Sequence, residues 1–248
     1  SGESLHRRGY RQEQVDAPLN EVLAAGMLLM TGWRGECDLI DPMCGSGTIP
    51  IEAALIARNI APGVFRKGFA FEKWVDFDSE MFDEIYNDDS QEREFTHKIY
   101  GYDNSPKANE IATHNIKAAG VSKDVTLKLQ PFQQFEQPQE KSIIVMNPPY
   151  GGNEKEGVKQ NFPADLRSSE TADLFMSVIM YRLKQNGRCA IILPDGFLFG
   201  TDNAKMAIKE KLLSEFNLHT VIRMPHSVFA PYTSITTNIL FFDRTHPT

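Results

Sequence analysis

Short, largely apolar runs of three to seven residues recur along this chain, and most are linked by segments whose apolar residues repeat at helical spacing. That alternation restricts the fold more than any other feature. The runs are Asp38–Ile40 ending at Asp41, Lys98–Asp103, Val125–Leu129, Ser142–Met146, Cys189–Leu193, Thr220–Met224 and Thr236–Phe242. Strands separated by helices run parallel, with helices on both faces of the sheet and right-handed crossovers. No crossover separates the last two runs, so they are expected to pair antiparallel. The expectation is an α/β chain: one seven-stranded, mostly parallel sheet with the last strand antiparallel and helices on both faces.

The helical segments carry recognisable punctuation. A first helix is expected over Ala17–Met30, with Leu19, Val22, Leu23, Met27 and Met30 on its buried face. A second follows the turn Cys44-Gly45-Ser46-Gly47, with Ile51, Ala54 and Leu55 buried and Arg58 ending a short stripe. A third has Ser105 as N-cap, Pro106 in its first turn and Gly120 as its stop, burying Ala108, Ile111, Ala112 and Ile116. Thr171–Leu183, stopped by Asn186-Gly187, and Ala204–Phe216 complete the set. From Asn59 to His97 the pattern is lost among scattered Phe65, Phe69, Phe71, Trp74 and Phe77, which reads as an insertion with some helix near Ser79–Ile85.

Ligands of such sheets bind beyond the carboxyl ends of the strands, and three polar motifs stand at strand ends. The first is Asp41-Pro42-Met43-Cys44-Gly45-Ser46-Gly47-Thr48. Its glycines permit a sharp turn and close ligand approach, and the helix behind it offers free N–H groups. A dinucleotide fingerprint needs a further glycine where Pro50 stands, and no lysine follows as in a P-loop, which disfavours a nicotinamide oxidoreductase and an ATP site. The second is Gly101-Tyr102-Asp103, where a carboxylate can accept ribose hydroxyls; it lies 62 residues after Asp41 rather than the usual ~20, the insertion filling the difference. The third is Asn147-Pro148-Pro149-Tyr150-Gly151. An exocyclic base amine is a poor nucleophile, and an Asn oxygen beside a backbone carbonyl can accept its two N–H groups and aim its lone pair. Two prolines stiffen the turn and remove competing donors. The aromatic ring can stack on a base taken out of its helix.

The string DPMCGSGT resembles the cofactor loop of class I S-adenosylmethionine-dependent amino methyltransferases. Residues 1–151 resemble the catalytic domain of THUMP-containing 23S rRNA guanine-N2 methyltransferases, in GYR at 9–11, APLNE at 17–21, DPMCGSGTIPIEAA at 41–54, FAFEKW at 69–74, GYDNSP at 101–106 and NPPYG at 147–151. Residues 147–248 resemble the modification subunit of type I restriction systems, an adenine-N6 DNA methyltransferase, in NFPADLRSSETADLFM at 161–176, GRCAIILPDGFLFG at 187–200 and VIRMPHSVFAPYTSITTNILFF at 221–242. Both families share NPP followed by an aromatic residue and glycine, so a composite chain joined near 147–153 is expected, with a natural enzyme intermediate between the two families as the alternative. The resemblance implies a Rossmann-like class I methyltransferase fold in one catalytic domain over 1–248. Residues 1–150 form its cofactor half, with four strands, and 151–248 the remainder of the sheet, with three.

The resemblance also implies S-adenosyl-L-methionine as cofactor and S-adenosyl-L-homocysteine as product. Asp41, Pro42, Cys44, Gly45, Ser46, Gly47, Thr48, Asp103 and Asn104 would contact it, with Arg11–Leu19 over its methionine end. The expected acidic contact to its adenine is missing after Leu129; Gln130 or Gln133 would substitute, with Phe132 on the ring. Asn147, Pro148 and Tyr150 would be catalytic, with no metal, and Asp195 would cap a turn rather than act as a base. The expected partner is nucleic acid, RNA or DNA, engaged with recognition domains or subunits that this sequence does not contain, and no membrane. A net charge of −7 sits awkwardly with phosphate binding, and only His6, Arg7, Arg8 and Arg11 form a local basic excess. Cys37, Cys44 and Cys189, an odd number without CxxC spacing, fit reduced thiols in a cytoplasmic protein. No apolar run approaches a membrane span, no signal peptide opens the chain, and its start resembles the interior of a longer protein. The competing expectation is a folded, cofactor-binding chimeric scaffold with little or no turnover.

Overall fold

The structure, a computed structural model, describes residues 2–137, 141–153 and 155–248. Seven strands form one sheet: β1 Leu39–Asp41, β2 Ile99–Asp103, β3 Val125–Leu129, β4 Ile143–Met146, β5 Arg188–Pro194, β6 Asn217–Arg223 and β7 Thr237–Asp243. Their spatial order is β3-β2-β1-β4-β5-β7-β6. The first five pair in parallel, and β7 runs antiparallel to both β5 and β6. The chain reverses its direction of travel across the sheet between β1 and β4, which opens a crevice at the carboxyl ends of that pair.

Successive residues of the inner strands point to opposite faces. Leu39, Ile143, Val145, Ala190, Ile192, Ile239 and Phe241 enter one core, and Ile40, Ile144, Met146, Ile191, Leu193, Leu240 and Phe242 the other. The first core is covered by α1 (Glu21–Met30), α2 (Thr48–Arg58) and α4 (Pro106–Ala118), and the second by α6 (Thr171–Arg182) and α8 (Asn203–Glu215). Short helices α5 (Glu156–Lys159) and α7 (Asp195–Phe199) lie in the connections, and α3 (Ser79–Tyr86) lies in the insertion. There Phe69, Phe71, Phe77 and Phe82 pack on one another, with the Phe69 and Phe71 rings stacked at 5.1 Å. Among the described residues no helix is long and apolar enough to cross a membrane.

Two helix expectations need correction. α1 begins at Glu21 because the Asn20 side chain accepts the N–H groups of Val22 and Leu23. Its buried residues are Glu21, Ala24, Met27 and Leu28, while Val22 and Met30 are exposed. This helix is apolar almost all round, so periodicity does not select a face. Its rotation is consistent instead with the polar anchor of Glu21 on Arg11, at 3.0 Å. α2 buries nearly every residue from Thr48 to Ala57, not a short stripe. Even its Glu52 is enclosed, accepting from the Tyr10 hydroxyl at 2.9 Å and paired with Arg8 at 3.4 Å. Arg188 of β5 ties the later half of the chain to the earlier one, donating to Thr31 O at 2.8 Å and pairing with Glu36.

Candidate active site

The loop after β1 is held between two carboxylates. Asp41 is buried and accepts the Met43 N–H at 3.1 Å. Asp103, at the end of the neighbouring β2, accepts the Gly45 N–H at 3.0 Å through Oδ2 and the Ser105 N–H at 2.8 Å through Oδ1. Gly45 and Gly47 have φ of 51° and 84°, a left-handed backbone that favours glycine. A Cβ at Gly47 would also stand 3.3 Å from the Ala112 Cβ, so this glycine sets how closely α2 approaches α4. Burial pushes the Asp41 carboxyl up to about 8; the Met43 N–H opposes the shift and the Asp103 charge adds to it.

A strap formed by residues 10–19 lies across this loop. Arg11 donates to Ser46 Oγ at 3.0 Å, Thr48 Oγ1 at 2.9 Å and Leu19 O at 3.0 Å, beside its pairing with Glu21. Asn115, buried on α4, accepts the Gln12 and Glu13 N–H groups and donates to Glu13 O and Ser46 O. Arg11 is therefore turned inward and is not free for phosphate. Asn115 was invisible to the sequence pattern, where a polar residue in an apolar stripe reads only as an interruption.

At the end of β4, the Tyr150 hydroxyl donates to Asn147 Oδ1. Burial raises the Tyr150 phenol above its ordinary value, which keeps it a donor at neutral pH. Its ring meets Phe229 edge-on at 6.0 Å. Asp195 lies apart from this site, paired with Arg223 at 2.7 Å and accepting from Asn238 Nδ2 at 2.7 Å. Burial raises all three cysteine thiols.

One cavity of about 640 Å³ joins these parts, within the usual range of ligand sites. Of the residues singled out in the sequence, Asp41, Pro42, Cys44, Gly45, Ser46, Thr48, Asp103, Asn104, Phe132, Asn147, Pro148 and Tyr150 line it. Gly47 does not, and neither does Gln130, whose N–H extends the sheet by bonding Asp103 O at 3.0 Å. The 3-10 turn Phe132–Gln134 presents Gln133 instead, the other residue considered for that place. Val15, Ala17, Pro18 and Leu19 of the strap form one edge. Thr171, Phe175, Tyr232 and Thr233 line it as well, and sequence reasoning gave them no role. Tyr232 and Thr233 had a signal: thirteen residues, 224–236, join two antiparallel strands where a hairpin needs two to five.

Comparison with known proteins bears directly on this site. Residues 8–221 match the family profile described as RMKL-like, methyltransferase domain. The chain belongs to this family. Its members are S-adenosylmethionine-dependent methyltransferases with this Rossmann-like fold. The chain is 41% identical over 156 residues to the type I restriction enzyme EcoEI methylase subunit of Escherichia coli, covering 61% of this chain and 31% of that protein. It is 42% identical over 164 residues to the ribosomal RNA large subunit methyltransferase K/L of Saccharophagus degradans, covering 61% and 22%. The matches thus span less than a third of either relative.

Among solved structures, SMU.472, assigned as a methyltransferase and complexed with SAH, superposes with a TM-score of 0.74 at 25% identity, covering 100% of this chain and 58% of that one. An assigned N6-adenine-specific DNA methylase from Listeria monocytogenes gives 0.70 at 27%, covering 97% and 55%. The cavity fits the family's cofactor on this chain's own geometry. A buried carboxylate suits a cationic amine, Asp103 keeps lone pairs for hydroxyls, and Phe132 offers an aromatic face.

Proposed function

We propose that this chain transfers a methyl group from S-adenosylmethionine to an exocyclic amino group of a nucleobase, guanine N2 or adenine N6, in RNA or DNA. The observation that carries this reading is the Asn147–Tyr150 pair at the end of β4, facing the same cavity as the Asp41–Thr48 loop. The bound cofactor supplies a methyl group already activated on a positively charged sulfur. The chain's own task is alignment more than acid–base power. Asn147 Oδ1 accepts a hydrogen from the amine and directs the nitrogen lone pair toward the methyl carbon. With the cofactor bound, the amine nitrogen would bond to the methyl carbon as that carbon's bond to sulfur breaks, the electron pair staying with sulfur, and the nitrogen would then release its proton to solvent. Tyr150 stacks on the base. Asp41, Pro42, Cys44, Gly45, Ser46 and Thr48 surround the methionine end, Asp103 and Asn104 the ribose, and Phe132 with Gln133 the adenine. The rRNA and DNA methylases among the relatives support a nucleic-acid target.

The test is paired. Asn147→Ala should abolish transfer of labelled methyl to pooled RNA and DNA while leaving SAH affinity by calorimetry nearly unchanged. Full transfer in that variant would remove the motif from the mechanism.

A composite origin for the chain, with its exchange near 147–153, is part of this proposal and rests on the two sets of family-like strings in the sequence. Two functional classes of relative each match 61% of it, so they share at least a fifth of its length. The family profile runs without a break across the proposed junction. A natural relative about equally similar from end to end would overturn the composite origin.

A further inference from the structure

Beside the active-site cavity runs a second groove of about 680 Å³, which shares Pro18, Leu19 and Tyr232 with it. Its walls bring together Arg7, Arg8, Arg11, Arg66 and Lys67 against Glu3 and Glu21. This concentration of positive charge stands in a chain whose net charge is −7. Sequence reading found only part of it, because Arg66 and Lys67 come from the insertion, far from Arg7 and Arg8 in the chain.

The cations are not equivalent. Arg11 is committed to Glu21 and the cofactor loop, and Arg8 faces Glu52. Arg66 differs from both. It is 8% exposed and donates only to backbone carbonyls, those of Ser4 and Arg7 through Nη1 and of Glu3 through Nη2. Its Nε has no hydrogen-bond partner, and it forms no ion pair among the described residues. Carbonyl dipoles satisfy donors without cancelling the charge. The Phe69 ring, 5.3 Å from the guanidinium carbon, faces the charge without neutralising it, so Arg66 adds uncompensated positive charge to the groove. Lys67 is exposed and also unpaired among the described residues, and Arg7 holds only a loose, exposed contact to Glu3 at 3.5 Å.

We infer that this groove carries the sugar–phosphate backbone of a single strand beside the nucleotide whose base enters the cavity. The inference rests on the nucleobase-methylation reading and adds to it a path for the strand. Two features favour a strand over a single small anion: the groove and the cavity share Pro18, Leu19 and Tyr232, and more than one cation of the groove, Arg7 and Lys67, is free to meet a phosphate. Arg66 holds residues 3–7 in place, so the groove is built before the strand arrives.

The test uses the double variant Arg7→Ala/Lys67→Ala, whose side chains lie outside the cofactor cavity. Affinities for single-stranded RNA and DNA oligonucleotides are measured by fluorescence anisotropy across a salt series, with SAH affinity as the check on folding. Each phosphate contact on a single strand contributes about 0.7 to the log–log salt slope, so the double variant should show a slope shallower by about 1.4 at unchanged SAH affinity. A loss on RNA alone, or on DNA alone, would assign the strand type. Identical affinity and slope in parent and variant, or no binding of either oligonucleotide by the parent at low salt, would overturn the inference. Labelled-methyl transfer by the parent separates the two readings: transfer with no effect of the variant removes the groove and keeps the function, and strand binding through the groove without transfer does the reverse.

Discussion

Cofactor affinity should depend on pH through Asp41. Its carboxyl is buried, lines the cavity, and stands at about 8. A raised carboxyl pKa means the folded protein holds a proton that the unfolded chain has already released. The stability from this group is therefore present below about pH 4 and is lost as pH rises toward 8. A ligand carrying an ammonium group needs the ionised form, so its binding should expel that proton. With a pKa of about 8, roughly 1% of Asp41 is ionised at pH 6 and about 24% at pH 7.5. The SAH dissociation constant should thus fall about 25-fold across that interval, equivalent to about 2 kcal/mol. The interval stops at 7.5 because the ligand's own amine begins to titrate above it. Calorimetry in buffers of different ionisation enthalpy would count close to one proton released per SAH at pH 6.5. Burial also raises Glu52 and Asp173, but neither lines the cavity. Asp41→Asn should therefore flatten the profile, and a flat profile in the parent would refute the reasoning.

Three further outcomes follow from the geometry. Tyr150→Phe removes the hydroxyl that holds the Asn147 acceptor, so the target KM should rise by up to about fivefold, the equivalent of one hydrogen bond, and Tyr150→Ala should weaken target binding by about 1–3 kcal/mol through lost stacking; an unchanged KM in both would take Tyr150 off the target side. Gly101→Ala would place a Cβ 2.9 Å from Leu127 Cδ2 and 3.1 Å from Cys44 Sγ, so denaturant titration should show a loss of about 1–3 kcal/mol together with weaker SAH binding, and wild-type values in both would show that the loop tolerates displacement from below. Proteolysis between Lys155 and Lys159 should not release two independently folded halves, because β4 is hydrogen-bonded to β1 on one side and β5 on the other; two stable fragments would show separate folding units.

What the sequence made legible follows from where one physical requirement acts alone. Buried parallel strands must be apolar nearly throughout, so β4 and β5 are bounded to within a residue at each end. β6 begins three residues earlier than its apolar run, because Asn217 and His219 flank Leu218 with polar residues and the strand alternates between partly covered and exposed positions. Where requirements competed, the pattern misled. α1 had too many apolar residues to declare a face, and Arg11 decided it. The Gly-rich loop and Asn147 were readable because their chemistry needs particular residue types at adjacent positions. Arg11 and Asn115 were not, since the contacts that tie them to the cofactor loop and the strap, Arg11 to Ser46 and Thr48 and Asn115 to Gln12 and Ser46, span 35 to 103 residues and no local spacing records them.

The cavity wall divides along the chain in a way that bears on its mixed likeness. The loop at 41–48, Asp103 and Asn104, the turn at Phe132 and the strap at 15–19 all precede Asn147. The later lining residues outside the motif are Thr171, Phe175, Tyr232 and Thr233. The two groups meet where the Phe175 ring packs edge-on against Phe132 at 4.8 Å. β4 lies between β1 and β5 in the sheet, and its four side chains, Ile143 to Met146, feed the two cores alternately. A change of later half therefore has to preserve one strand, one acceptor, the filling of two cores, the Phe175 contact to Phe132 and the Arg188 contacts to Thr31 and Glu36. Target choice would then reside in residues 151–248 and in the groove beside Tyr232, and replacing the 224–236 loop should move base preference without moving SAH affinity. A change in SAH affinity with base preference unaltered would place specificity in the earlier half instead.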